Sequence, residues 1–128
     1  MSLVIRDEQT EALEASLKDR FAVELAAELR QEHTEAVEPY NDKELHNLIL
    51  EGVDRAESYE LDSDSDVGAF VKLLFVVGWY FDRYPLFHHF FTEEDYEGHE
   101  RLEYLFDAAT EEDWKKAAAQ SGRLLEEE

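Results

Sequence analysis

The sequence has no cysteine and few basic residues. The absence of cysteine excludes disulfide bonds, thiolate metal sites and cysteine nucleophiles. Twelve lysines and arginines stand against 33 aspartates and glutamates, and the net charge is −21. Because proteins bind nucleic acid and anionic membranes through basic groups, we expect neither as a partner. A basic protein is the partner that this charge favours.

Long apolar runs are missing as well. The longest covers residues 70–81 and contains Lys72, whereas a helix that spans a bilayer needs about 20 apolar residues. No N-terminal stretch combines a basic start with an apolar run, so we expect no signal peptide. A chain of 128 residues is long enough to bury one hydrophobic core. We predict one domain over residues 1–128 in a cytoplasmic protein.

Motifs for catalysis and metal binding are absent too. No serine lies in a Gly-x-Ser-x-Gly turn, and neither Glu-x-x-His nor His-Glu-x-x-His occurs. Asp62, Asp64 and Asp66 begin like a calcium loop, but Val67 and Leu73 stand where that loop requires glycine and glutamate. We therefore predict no catalytic residue, no metal and no cofactor, in a protein that is not an enzyme. A carboxylate-metal enzyme stays open, because 33 acids offer many pairs.

Apolar residues recur at helical spacing along most of the chain, which predicts an all-α fold. A first helix covers residues 7–33, and a third, residues 67–81, is so apolar that we expect it to be buried at the centre. The last of about five helices should end at Gly122. The residues expected to cap the other helices are Asn41 with Glu44, Ser63 with Asp66, Thr92 with Asp95 (or a start near Gly98), and Thr110 with Asp113.

Charge is unevenly distributed along these helices. Residues 67–91 hold one acid and two bases, whereas residues 34–66 hold eleven acids and two bases. Residues 92–128 hold thirteen acids and four bases. The pattern predicts a compact bundle in which a neutral central hairpin is enclosed by acidic layers.

An aromatic connector, residues 84–91, is more apolar than an exposed link between helices should be. In one interpretation its side chains close the core beneath it. In the other, some stay exposed as a docking patch or as the seam of a homodimer. Under the second interpretation the predicted partner-binding residues are Asp82, Tyr84, Leu86, Phe87, His88 and Phe90.

The acidic helix faces also have two interpretations. Most charged faces are simply solvated, and a very acidic surface is also typical of adaptation to salt. Alternatively, the surface is complementary to a basic protein such as a nuclease or a membrane-active toxin, and salt should then weaken the association. An acidic mimic of nucleic acid would bind a basic protein in the same way.

A further pattern runs from the second helix, which Asn41 caps, into the connector. Its residues are Gly52-Val53-Asp54-Arg55-Ala56, Tyr59, Val67, Phe70, Leu73-Leu74-Phe75, Gly78, Phe81-Asp82 and Pro85. With them the chain resembles a family of small, largely uncharacterised bacterial helical proteins encoded beside type VI secretion spike-tip and effector genes. The resemblance covers residues 45–86 well, with a weaker echo in residues 101–109 and a fitting N-terminal Val4-Ile5-Arg6. It implies a helper of a secreted effector, as chaperone, adaptor or immunity protein.

Two residues depart from the pattern of that family. Glu60 stands where the family has a glycine after the tyrosine, at a helix end where glycine eases a left-handed turn. Tyr84 replaces an acidic residue before the proline, so a role that needs a second carboxylate next to Asp82 is in doubt. The resemblance implies no catalytic residues. A homodimeric structural or regulatory protein stays an alternative.

Overall fold

A computed structural model describes residues 2–127, and between residues 15 and 126 it also describes the side chains. Within residues 2–127 the regular structure is entirely helical, with seven α-helices, one 3-10 helix and no strand. This confirms the all-α fold class. In chain order the elements are α1 (Ser2–Glu32), α2 (Thr34–Val37), α3 (Asp42–Ser58), α4 (Asp64–Val76), the 3-10 helix (Phe81–Arg83), α5 (Pro85–Thr92), α6 (Gly98–Ala108) and α7 (Glu111–Glu127).

Two of these helices were not expected from the sequence, which predicts about five. One is α2, a single turn of four residues. The other is α5, and the interpretation of residues 84–91 as a connector is therefore wrong. Pro85 stands at the first helical position, where its fixed φ suits the helix and its missing N–H would have no partner anyway. The proline thus begins a helix there.

The most apolar helix is shorter than predicted, since α4 ends at Val76 and not at Phe81. The chain turns at Gly78, where a Cβ atom would lie 2.5 Å from the Cβ of Ser121. The Ser121 hydroxyl also accepts a hydrogen bond from the Tyr80 N–H at 2.9 Å. A contact with α7, distant in sequence, therefore sets the end of α4.

Burial is incomplete around α4. Five of its residues are buried, whereas Val76 is 49% exposed. Its place at the centre of a compact bundle stays a prediction. Across residues 2–127, none of the helices has both the length and the apolar character needed to cross a bilayer.

Three predicted helix starts are confirmed by their hydrogen bonds. Asn41 and Glu44 form a reciprocal capping box before α3. The Ser63 hydroxyl accepts from the Asp66 N–H before α4, and Thr110 exchanges hydrogen bonds with Asp113 before α7. Each bond satisfies a backbone group that the first helical turn leaves unpaired.

Other predicted boundaries are wrong. Thr92 is the last residue of α5 and begins no helix. The alternative start near Gly98 is confirmed, since α6 begins at Gly98 behind a capping box of Glu97 and Glu100. Gly122 does not end α7, which continues to Glu127. The first helix begins before residue 7 and ends at Glu32. The side chains of Val4-Ile5-Arg6 lie outside the described residues.

The chain forms two compact units, one up to Leu50 and one from Glu51 onward. That a single domain covers residues 1–128 stays a prediction. In the first unit, α2 packs against α1. The Arg30 guanidinium on α1 donates to the Val37 carbonyl at 3.2 Å, and to the Tyr40 carbonyl at 2.9 Å. It thereby ties the turn after α2 back to α1.

The second unit has an aromatic core. Phe70, Phe81, Phe87 and Phe91 are fully buried, and neighbouring rings among them lie 5.3–6.2 Å apart between centroids. Such edge and tilted contacts add to the stabilisation from burying large apolar side chains. The helix α5 packs against α6 and the 3-10 helix, and α7 packs against the 3-10 helix.

The turn after α3 places Glu60 in the left-handed region, with φ of 67°. The left-handed turn that a glycine would ease at this helix end is therefore present, and Glu60 adopts it. The Glu60 carbonyl also lies so close to Gly98 that a Cβ atom there would clash with it. The left-handed turn and the glycine at the start of α6 thus belong to one close backbone contact.

We predict that Glu60→Gly raises the free energy of unfolding by about 1 kcal/mol, since left-handed geometry strains a residue with a Cβ. The gain exceeds the loss of the ion pair between Glu60 and Arg101, whose 3.7 Å separation and exposed carboxylate make it weak. Urea unfolding measures the change. The matched control is Glu57→Gly inside α3, which should cost about 1 kcal/mol. Destabilisation by both variants would contradict the prediction.

Candidate functional site

The structure separates the predicted partner-binding residues by burial. Asp82 is 2% exposed and Phe87 is fully buried, so neither side chain reaches a partner in this conformation. His88 is exposed, and the remaining three, Tyr84, Leu86 and Phe90, are partly exposed. For Phe87 and for Phe91, the core interpretation of the aromatic stretch holds. The binding role of the others stays a prediction.

The buried Asp82 carboxylate is the centre of a polar network. One oxygen lies 3.1 Å from the Arg55 guanidinium, and the other accepts the Tyr59 hydroxyl at 2.6 Å. Arg55 also donates to the Trp79 carbonyl. Arg55 and Tyr59 stand four residues apart, a spacing that places both on one side of a helix end. The network therefore attaches the 3-10 helix to the last turn of α3.

The chemistry of this network is that of a structural clamp. Both oxygens of Asp82 hold fixed partners, and the Tyr59 ring stacks on Phe91 with centroids 4.9 Å apart. Burial, followed by the hydrogen bond to Asp82 and the charge of that carboxylate, raises the pKa of Tyr59 well above its usual value. The tyrosine is therefore neutral at ordinary pH, and its hydroxyl donates a hydrogen bond to the Asp82 carboxylate.

Phe90 lies on a partly exposed surface with two tyrosines. Its ring is 5.7 Å from that of Tyr96, which is 4.9 Å from that of Tyr104. We call Phe90, Tyr96 and Tyr104 the aromatic row. The planes of neighbouring rings tilt by 32° and 39°, and Tyr104 is 41% exposed. The row thus leaves part of its aromatic surface, above all that of Tyr104, exposed to solvent.

Acidic residues are frequent in the segment that carries the aromatic row. Seven acids and a single base, Arg101, lie between the start of α5 and the end of α6. The Arg101 side chain is only 7% exposed and donates to the Glu93 and Tyr96 carbonyls, so it holds the connection between the helices. The charge of Glu100, whose carboxylate accepts from the Tyr104 hydroxyl at 3.3 Å, is the main cause that raises the pKa of Tyr104.

Sequence reasoning missed Tyr96 and Tyr104 as members of this surface. Phe90 lies on α5, Tyr96 in the link that follows and Tyr104 on α6, so no single helical period relates the three rings. Only the packing of α5 against α6 brings them together. The one local signal was the four-residue spacing of Glu100 and Tyr104, which places a carboxylate beside a ring on one helix face.

Two further clusters have simpler roles. At residues 62–66 the aspartates are exposed or partly exposed, and Ser63 caps α4 there, as the helix-capping interpretation predicts. Donor atoms of Glu97, His99 and Glu100 lie within 4.8 Å of one another. Both glutamates already form the capping box of α6, so their positions are explained by the helix start.

The first unit carries an open groove of about 540 Å³. Val23, Ala26 and Ala27 form its apolar floor. Arg30, Asp42, Lys43 and His46 complete its lining, and the Arg30 guanidinium lies 3.1 Å from the Asp42 carboxylate. The His46 ring lies 3.1 Å from the carboxylate of Asp19.

Comparison with known proteins gives no match among family models, curated proteins or solved structures.

We predict that Asp82→Asn lowers the free energy of unfolding by about 2–3 kcal/mol. The substitution keeps the shape but leaves the Arg55 guanidinium, 23% exposed, without its counter-charge. Urea unfolding at neutral pH measures the loss. The control is Asp107→Asn, which removes a charge from the exposed side of α6 and should change stability little. Equal effects of the two variants would show that the Asp82 network contributes no more to stability than an exposed acid does.

The raised pKa of Tyr59 predicts a pH dependence of stability. Below pH 10 the residue is protonated in both states, and its hydrogen bond stabilises the folded chain. Above pH 10 it ionises first in the unfolded chain, and the stabilisation is lost as the pH rises. The stability difference between the wild type and Tyr59→Phe should therefore shrink between pH 9 and 11. Urea unfolding measures both free energies, and a difference that stays constant from pH 9 to 11 would contradict the assignment.

Proposed function

We propose that the protein works by binding another protein, as a cytoplasmic chaperone, adaptor or immunity protein for a type VI secretion effector, and not by catalysis. The observation that carries the proposal is the aromatic row with its acidic surroundings. The family resemblance in residues 45–86 supplies the class of partner.

The chemistry of the surface supports a protein partner. Aromatic side chains are enriched in protein interfaces, where their large rigid area is buried at a small cost in conformational entropy. The row keeps such rings partly exposed, with Tyr104 at 41%. Charged side chains then form the polar rim that interfaces of this kind have.

The electrostatics of the surface support a basic partner. Seven acids stand against one buried arginine along α5 and α6. A partner with exposed lysines and arginines would be steered toward this field and would lose association rate as salt is added. A second copy of the chain, which carries the same −21, would instead be repelled. The field thus favours a basic effector over the homodimer.

The residues predicted from the sequence divide into two roles under this proposal. Leu86 lies one helical turn before Phe90 on α5 and contacts the partner with it, whereas Asp82 and Phe87 hold α5 in place. Tyr84 belongs to the second group as well, because its hydroxyl donates to Asp113 at 3.0 Å. His88 is exposed but lies two residues from Phe90 and so points away from the row, and its contact with the partner rests on the sequence alone. A mimic of nucleic acid would use the same acids but would not need the aromatic rings.

Binding to the proteins encoded by the neighbouring genes, among which the proposal expects an effector, tests the proposal. We expect a Kd that weakens at least tenfold between about 0.05 and 0.5 M salt. Phe90→Glu and Tyr104→Glu should each weaken binding about 100-fold while helicity by circular dichroism is retained, whereas Phe87→Glu should lose the fold. Isothermal titration calorimetry measures the affinity.

The matched control is Phe106→Glu. Phe106 is also an exposed ring of α6, but it lies two residues after Tyr104 and therefore points away from the row. It should leave the affinity unchanged. Absence of binding by the folded wild type, or binding that salt does not affect, would refute the proposal. Displacement of the effector by DNA with no effect of Phe90→Glu would favour the mimic.

A further inference from the structure

Within the second unit, one arginine side chain already contacts both a ring and a carboxylate. The Arg55 guanidinium is 5.1 Å from the centroid of the Trp79 ring while it contacts the Asp82 carboxylate at 3.1 Å. Arg83 lies 4.3 Å from the centroid of the Tyr80 ring. Each arrangement places a cation over the face of an aromatic ring.

The aromatic row presents the same elements without a cation of its own. One oxygen of the Glu100 carboxylate accepts from the Tyr104 hydroxyl and the other from the Glu97 N–H, each at 3.3 Å, so further donors would share these oxygens. The Tyr96 ring lies 4.9 Å from that of Tyr104 and extends the aromatic surface. Among the residues whose side chains are described, no arginine or lysine lies over any of the three rings. Arg101 is turned inward to backbone carbonyls.

Arginine fits these elements better than lysine does. A guanidinium is planar, so one group stacks on a ring and donates through its edge to a neighbouring carboxylate at the same time. An ammonium is a compact, strongly hydrated point charge that makes no stacking contact of this kind. Phe90, which has no polar atom, suits the apolar methylenes of an arginine side chain.

We propose that the aromatic row is a receptor for arginine side chains of the partner and selects them over lysine. The proposal rests on the protein-binding function proposed above and names the side chain that is recognised. Tyr104 supplies the stacking face, Glu100 the carboxylate, and Tyr96 with Phe90 the remainder of the contact surface.

Two Gly/Ser-spaced peptides, one with arginines and the other with lysines at the same positions, test the selectivity. At about 0.15 M salt the arginine peptide should bind the full chain about tenfold more tightly, the ratio expected from one stacked and paired guanidinium. Chemical shifts of ¹⁵N-labelled protein measure both affinities and should move at residues 96, 100 and 104. Equal affinities for the two peptides would overturn the proposal.

Variants of Tyr104 separate the contribution of its aromatic ring from that of its hydroxyl. Tyr104→Leu should abolish the preference for arginine, whereas Tyr104→Phe, which keeps the ring, should retain most of it. Phe106→Leu is the matched control on α6 and should keep the full preference. A preference that survives Tyr104→Leu would place arginine recognition elsewhere and overturn the proposal.

The outcome is separable from that of the proposed function. If the effector binds with the expected salt dependence but the two peptides bind equally, arginine selection fails while the binding function stands. If the folded chain binds neither the effector nor the peptides, both fail. If the arginine peptide is selected and also competes with the effector for the chain, both are supported.

Discussion

The second unit depends on one buried carboxylate. Asp82 is taken out of water, and its charge is compensated by Arg55 and by the hydroxyl of Tyr59. Burying a carboxylate is unfavourable unless its oxygens are paired and hydrogen-bonded, so all three groups have to be present together. The network holds the 3-10 helix, and the 3-10 helix leads directly into Pro85 and α5.

Placement of α5 then divides its aromatic side chains between core and surface. Phe87 and Phe91 stand four residues apart, on one side of the helix, and are buried. Phe90 is left partly exposed beside the rings of Tyr96 and Tyr104. The interior of the unit and its candidate binding surface are therefore two sides of the same short helix.

Two arginines of the second unit are directed into the unit and form their contacts there. Arg55 pairs with Asp82, and Arg101 donates to backbone carbonyls between α5 and α6. The charge of Arg55 is compensated by Asp82, and Arg101 forms an ion pair with Glu60 at 3.7 Å, so neither guanidinium is paired with a carboxylate beside the aromatic row. The field around the aromatic row is thus set by the acids, in agreement with the raised pKa of Tyr104.

Local hydrogen bonds explain why much of the helical framework could be read from the sequence. The caps at Asn41, Ser63 and Thr110 join residues three positions apart, and the charge follows from composition. The end of α4 and the aromatic row depend on contacts between distant positions, such as the 41-residue step from Tyr80 to Ser121. No periodic pattern encodes which side chains meet across such distances, so the burial of Asp82 and Phe87 and the grouping of three exposed rings emerge only when the helices pack.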